Sequence, residues 1–188
     1  HVDGEGTILT TETVVLNDNR NAGVTKPEAE EMLCQGLGAE KVIWLPGGTM
    51  TFTDGHVDGI ACFVGPGVVL ALMPADPAHP KYHIYQDNLR ALELATDAKG
   101  RKLHIHTVID ASEAEPTGEH FIRTYVNFYL ANGGFILPRH RLAKLGRAPC
   151  MGTSVHLGSR TIFQKKHLSI RPATPPPPFS VQFRQHLH

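Results

Sequence analysis

His56 and Asp58 stand two residues apart within Thr53-Asp54-Gly55-His56-Val57-Asp58-Gly59, and the same four letters occur 55 residues earlier as His1-Val2-Asp3-Gly4. At the start of a strand, period-two geometry places such a His and Asp on one face. An imidazole beside a carboxylate suits general acid–base chemistry. The carboxylate also suits a cation, most specifically a planar guanidinium held by paired hydrogen bonds. A lone His-x-Asp is more often an ordinary turn or strand-edge pair, so the dipeptide by itself leaves these readings open. His104 and His106 are also two apart. No third and fourth ligand is convincingly spaced around them, so they read as one face of a strand and no metal is expected.

A four-letter repeat carries weight only if its context repeats too. After the first copy come two β-rich runs, Thr7 to Thr11 and Val14-Val15-Leu16, and then the polar Asn17-Asp18-Asn19-Arg20-Asn21. Thr25-Lys26-Pro27-Glu28 reads as a helix start, with Thr25 as N-cap and Glu28 closing a capping box, and Gly38 reads as its stop. Residues 41–45 then form a short buried strand before Pro46-Gly47-Gly48. After the second copy, residues 60–64 and 68–72 read as a hairpin across Gly65-Pro66-Gly67. A loop carrying Pro74, Pro77 and Pro80 follows, then a helix over 87–96 and a strand over 103–109. Both units therefore read strand–strand–helix–strand. A third begins with residues 125–130 and 134–137, separated by Asn132-Gly133, a hairpin signal. Residues 110–123 read as a loop.

The third unit breaks off after Pro138, and the charge changes there. The chain has 188 residues with 18 basic and 18 acidic side chains, a formal charge of zero. Residues 1–138 hold all 18 acidic residues and 9 basic ones, whereas residues 139–188 hold 9 basic residues and no Asp or Glu. Such asymmetry reopens the question of a nucleic-acid partner for the tail alone. Its charges are scattered, with only Lys165-Lys166 adjacent, and near its end it holds Pro175-Pro176-Pro177-Pro178, a polyproline II segment. No apolar run approaches the roughly 18–20 residues of a membrane span. The acidic, polar start does not resemble a signal peptide and lacks an initiator Met, which points to a fragment. Three scattered cysteines (Cys34, Cys62, Cys150) form no disulfide framework and fit a reducing, cytoplasmic compartment.

Several long runs together resemble one family. They are His1-Val2-Asp3-Gly4-Glu5-Gly6-Thr7, Leu16-Asn17-Asp18-Asn19-Arg20-Asn21, Val42-Ile43-Trp44-Leu45-Pro46, Thr53-Asp54-Gly55-His56-Val57-Asp58, Ala95-Thr96-Asp97-Ala98-Lys99-Gly100-Arg101, and Tyr125-Val126-Asn127-Phe128-Tyr129 through Asn132-Gly133-Gly134. In this order they resemble the agmatine deiminases (agmatine iminohydrolases), part of a wider group that includes bacterial-type peptidylarginine deiminases. The resemblance covers residues 1–138. It implies a pentein, a five-bladed α/β propeller of ββαβ units, of which this chain would hold about two and a half blades. It also implies hydrolysis of agmatine to N-carbamoylputrescine and ammonia in polyamine biosynthesis, with no metal or organic cofactor. A cysteine thiolate attacks the guanidinium carbon, ammonia leaves, and water hydrolyses the covalent intermediate. The resemblance places the proton-transferring His at His56 and a guanidinium-binding carboxylate at Asp58. It puts Asp3 and Asn127 in family-typical motifs near the centre, in substrate-positioning roles, and leaves Asp54 as a neighbouring candidate for substrate binding.

The sequence departs from that family in three places. The family's N-terminal blades, which carry a further guanidinium-binding Asp, are absent. Phe52 stands where the family commonly has an acidic residue for the substrate's amine tail. The nucleophile motif Gly-Gly-Gly-Asn-x-His-Cys is absent: Cys150, in Ala148-Pro149-Cys150-Met151-Gly152, does not match it, Cys62 lies in a strand, and Cys34 lies in a helix. Residues 1–138 are therefore expected to be a partial deiminase domain, inactive alone. Residues 139–188 are expected to be a poorly ordered, non-family tail explained by a change of reading frame or unspliced sequence. A small cationic guanidine is the expected partner, with homo-oligomers of a full-length parent. The competing expectation is a non-catalytic remnant whose basic tail contacts nucleic acid.

Overall fold

Strand β1 (Thr7–Thr11) is almost wholly buried and lies parallel to β2 (Lys41–Leu45), in register from Thr7 opposite Lys41 to Thr11 opposite Leu45. This computed structural model describes residues 1–48, 53–110, 124–131, 134–137 and 154–157. A parallel pair needs a crossover. Here it contains α1 (Glu12–Val15), α2 (Asp18–Asn21) and α3 (Lys26–Leu37). The start of α3 is as its sequence dictates: the Glu28 carboxylate accepts from the Thr25 N–H at 2.9 Å and from its hydroxyl at 2.6 Å. The helix stops at Gly38 in the left-handed conformation, φ 63°, which glycine adopts without steric penalty.

The expected strand at Val14-Val15-Leu16 is not formed. Thr11 has extended backbone and caps α1, so the chain turns helical at Glu12. The antiparallel neighbour of β1 comes instead from the preceding arm, where Val2 bridges to Ile8. The second unit has β3 (Ala61–Gly65), β4 (Val68–Met73), α4 (Tyr82–Leu94) and β5 (His104–Ile109). Strand β4 is antiparallel to β3 and parallel to β5. Both units thus place an antiparallel neighbour, a central strand, a crossover and a parallel strand in the same order. The four-letter repeat is out of phase with this pattern. Its first copy supplies the antiparallel arm, and its second lies in a 3₁₀ turn (Val57–Gly59) ahead of β3.

Helix α4 begins five residues before the expected 87, because Tyr82-His83-Ile84-Tyr85 continues the same buried face through Tyr85, Asn88 and Leu92. Residues 125–128 are not strand; β6 is Tyr129–Ala131, paired antiparallel to β7 (Gly134–Leu137). Of residues 139–188 the structure describes 154–157, where β8 (Ser154–Leu157) pairs antiparallel to β7. The linking Asn132-Gly133 and the loop 111–123 lie outside the described residues. Among the described residues no helix is long and apolar enough to cross a membrane.

One core joins the two units. Leu9, Ile43 and Leu45 from the first pack with Ile60, Ala61, Phe63, Val69, Ala71 and Leu92 from the second. Each fully buried large side chain contributes about 1.5–3 kcal/mol. The opposite face of β4 builds a second cluster from Cys62, Leu70, Leu72, Tyr85, Val108 and Val126.

A pair of interlocked loops closes the other side. The Asp3 carboxylate accepts from the Glu5 and Thr7 N–H groups at 2.8 and 2.9 Å. Asp97 accepts from Lys99 and Arg101 N–H, both at 2.9 Å. The loops meet where the Ala98 N–H donates to the Thr7 hydroxyl at 2.9 Å and Arg101 pairs with Glu5. Burial works to raise the Asp97 pKa, but the Arg101 N–H and guanidinium and the Lys99 N–H outweigh it and hold the carboxyl below its usual value. Its folded pKa is below the unfolded value of about 3.9. The loop therefore adds stability above that pH and loses it as pH falls through the folded value. Urea denaturation across pH 2–6 checks this: Asp97→Asn should lower stability at pH 6 and flatten the decline below about pH 4. A variant with the unsubstituted acid dependence would show that Asp97 does not carry it.

Candidate functional site

The position of His56 is set by two backbone segments that cross with nothing between them. After β2, Pro46-Gly47-Gly48 runs against Thr53-Asp54-Gly55. A Cβ at either Gly48 or Gly55 would overlap the other's backbone. Asp54 and Gly55 both have positive φ, 58° and 81°, the combination a type I′ turn uses and one that favours Asp-Gly. The crossing is tied at both ends. The Thr11 hydroxyl donates to the Gly55 carbonyl at 2.8 Å. Buried Asn88 on α4 donates to the Gly47 carbonyl at 2.7 Å and accepts from the Gly47 N–H at 3.3 Å. Ala at position 55 would meet both the left-handed φ, about 1–2 kcal/mol, and the Gly48 backbone. Gly55→Ala should therefore lower the urea midpoint by more than the φ alone explains; a midpoint within error of the parent would refute the crossing.

From this turn the chain enters the 3₁₀ segment Val57–Gly59 with His56 as its N-cap. His56 and Asp58 meet because the chain turns, not because an extended strand alternates. His56 Nδ1 is 3.9 Å from Asp58 Oδ1, a Coulombic distance too long for a hydrogen bond. Both side chains are about half exposed, at 43% and 44%. His56 Nε2, however, is buried and has no partner among the described residues. The other Asp58 oxygen accepts from the Asn127 amide at 2.9 Å. Asn127 reaches it from a segment anchored by buried Val126, with the Val126 N–H donating to the Thr124 hydroxyl at 3.1 Å. An ionisable imidazole, a carboxylate and an amide thus converge from residues 56–58 and 127. The carboxylate keeps acceptor capacity for a planar cation, and the imidazole beside it can give or take a proton.

The other expected site residues lie differently. The Asp54 carboxylate is engaged by Arg20, with Nε donating to Oδ2 at 2.9 Å. Asp3 is 8% exposed and clamps its own loop through one oxygen, while its Oδ2 has no partner among the described residues. No hydrogen bond or ion pair between described residues joins Asp3 to His56 or Asp58. The first His of the repeat sits at strand β3, its Nδ1 accepting from the Phe63 N–H at 3.3 Å. His104 and His106 lie on β5 opposite Val68 and Leu70. Sequence reasoning missed Thr11, Arg20 and Asn88. A polar residue in line with Tyr85 and Leu92 on the buried face of an amphipathic helix was the available signal for Asn88.

The cysteines divide by environment. Burial pushes the Cys62 thiol up to about 12, so it is neutral near pH 7 and is a core side chain rather than a thiolate. Cys34 is partly exposed on α3, and Cys150 lies outside the described residues. Alkylation of the folded chain at pH 8, followed by peptide mass spectrometry, should modify Cys34 and spare Cys62 until denaturant is added. Equal rates at the two would overturn the burial argument.

Comparison with known proteins shows the family to which the chain belongs. A family profile described as Porphyromonas-type peptidyl-arginine deiminase matches residues 1–151. The agmatine deiminase of Pseudomonas fluorescens is 40% identical over 157 residues, covering 73% of this chain and 43% of that protein. The agmatine deiminase of Pseudomonas aeruginosa is also 40% identical, with the same coverage. The solved structure of the Enterococcus faecalis agmatine deiminase superimposes with a TM-score of 0.68 at 37% identity, covering 74% of this chain and 43% of that one. The chain spans 40 to 43% of the length of the curated relatives it matches. With the profile match running over 151 residues, the chain belongs to the Porphyromonas-type peptidyl-arginine deiminase family.

Proposed function

We propose that this chain is part of an agmatine-deiminase-type hydrolase acting on a guanidine carried by a small cation, in a cytoplasmic route to polyamines. The observation that carries the reading is the convergence of His56, Asp58 and Asn127, with Asp58 held at 2.9 Å by the amide. Asp58 binds the guanidinium and, by localising its positive charge, favours attack at the central carbon. A cysteine thiolate forms the C–S bond, and the C–N bond breaks as His56 delivers a proton to the departing ammonia. His56 then accepts a proton from water as the C–O bond forms. As the C–S bond breaks and restores the thiolate, the remaining hydroxyl proton passes to solvent, where the released ammonia takes it up as ammonium, and N-carbamoylputrescine leaves. Asn127 orients Asp58, and Asp3 and Asp54 hold the loops that frame the site.

None of the cysteines of this chain stands in the family's nucleophile motif, and the neutral Cys62 thiol cannot substitute for it. We infer that the chain binds the guanidine without turning it over. The two described units and the hairpin beyond them are read as consecutive blades of a pentein, with the family-derived part taken as residues 1–138. The profile match extends past Pro138 to residue 151, so the boundary itself is part of the proposal.

Binding is tested by titrating agmatine into the labelled chain and following the His56 and Asn127 side-chain resonances. Both should shift, and Asp58→Asn should weaken binding by about tenfold or more, since a charge-assisted pair contributes roughly twice a neutral one. No shift at either residue at millimolar agmatine would sink the reading. An ammonia assay should show no release by the chain alone; release that disappears in Cys150→Ser would overturn the inferred inactivity.

A further inference from the structure

The motif Leu16-Asn17-Asp18-Asn19-Arg20-Asn21 makes no hydrogen bond or ion pair to His56 or Asp58 among the described residues, yet its own side chains are closely bonded. Four hydrogen bonds from its Asn and Asp side chains shape it. Asn17 Oδ1 accepts from the Asn19 N–H at 2.9 Å, and Asn17 Nδ2 donates to the Thr13 carbonyl at 3.2 Å. Asn21 Nδ2 donates to the Val15 carbonyl at 2.8 Å, and Asp18 accepts from the Gly23 N–H at 3.4 Å. These side chains satisfy the ends of the short helices α1 and α2, which are too short to satisfy them internally. The product is a fixed platform for one long side chain. Arg20 projects from it to a turn 33–34 residues away, where Nε donates to Asp54 Oδ2 at 2.9 Å and Nη2 to the Thr53 carbonyl at 3.4 Å.

That turn holds an unfavourable backbone conformation. Asp54 is the sole non-glycine residue with positive φ among the described residues, at 58°. Asp visits this region more readily than most residues but still pays for it sterically. Gly55 follows against Gly48, and His56 comes next. Any relaxation of Asp54 toward negative φ would redirect the chain two peptides before the imidazole. We propose that Arg20 is a positioning residue for His56: by gripping both the Asp54 carboxylate and the Thr53 carbonyl, it selects the left-handed turn that aims His56 at Asp58. A planar guanidinium with several donors suits this two-pronged contact, and a lysine ammonium does so less well. The Asp54 carboxylate thereby serves the turn rather than the substrate.

The proposal rests on the reading of His56 as the site imidazole, and the experiment separates the two. The full chain, labelled at histidine, is compared with Arg20→Ala, Asp54→Asn and the double variant. Each single variant should displace or split the His56 imidazole cross-peak and weaken agmatine binding on the order of tenfold. The thermal midpoint should move by a few degrees at most, because an exposed ion pair contributes little to stability. The double variant should match either single one, because the two side chains act as a unit. Unchanged His56 resonances in the single variants, or displacements that add in the double variant, would overturn the proposal. If Arg20→Ala does not fold, Arg20→Lys is read in the same way, and a His56 spectrum matching the parent would count against the two-pronged clamp. Absence of any agmatine response in the parent chain would sink the guanidine reading alone, since the effect of Arg20 on the His56 resonances is read without ligand.

Discussion

Two strands of backbone pass at Gly48 and Gly55 with no side chain between them, and the site depends on that passage. A close crossing of main chains leaves carbonyl and N–H groups without regular partners, and buried groups of that kind are costly unless satisfied. Here side chains from two other elements satisfy them. Thr11 ends β1 and reaches the Gly55 carbonyl, while Asn88 on α4 engages both polar groups of Gly47. The first unit thus supplies the hydroxyl, the second supplies the amide, and the linker between them supplies His56. The His56–Asp58 pair lies at the seam of the two units rather than within either one.

The seam is held by unlike forces at its two ends. The shared core of Leu9, Ile43, Leu45, Phe63, Val69 and Leu92 is non-directional and holds the units together without setting an angle. The interlocked loops around Asp3 and Asp97 are directional. Each Asp bonds the N–H groups two and four residues ahead, with a left-handed glycine three residues ahead, Gly6 and Gly100. They differ at the fourth position. Arg101 returns its guanidinium to Asp97, whereas Thr7 offers its hydroxyl to the neighbouring loop. Asp3 is therefore left with one buried oxygen unpaired among the described residues.

Much of the fold was legible locally. The Thr25/Glu28 box, the Gly38 stop and the Gly65-Pro66-Gly67 hairpin rest on interactions within a few residues, which residue types report directly. The strands at 7–11 and 41–45 show in their own apolar and β-branched residues, although they pair with each other across a long crossover. The errors came where local preference was weak. Val14 and Val15 favour strand by type, but the cap at Thr11 and the ion pair from Lys26 to Glu12 accompany a helical turn there. The verbatim repeat also misled on phase. Its two copies serve as an edge arm in one unit and a 3₁₀ turn in the other, and the truer structural echo is the looser Asp-x-x-Gly pattern at residues 3–6 and 97–100.

For the site, the sequence alone determined which chemistry was available: an imidazole, a carboxylate and an amide in runs that resemble the deiminases, with no cysteine in the nucleophile motif. It could not determine which carboxylate was free. Asp3, Asp54 and Asp58 are alike as letters, and each stands beside a glycine in a turn. Tertiary structure separated them by partner: Asp3 is spent on its own loop, Asp54 is taken by Arg20 from 34 residues away, and Asp58 faces His56 while Asn127 reaches it from 69 residues away. The physical reason is that a carboxylate's role is set by the donors that reach it, and those donors lie far along the chain, at distances that only the packed core and the glycine crossing bring to hydrogen-bond length.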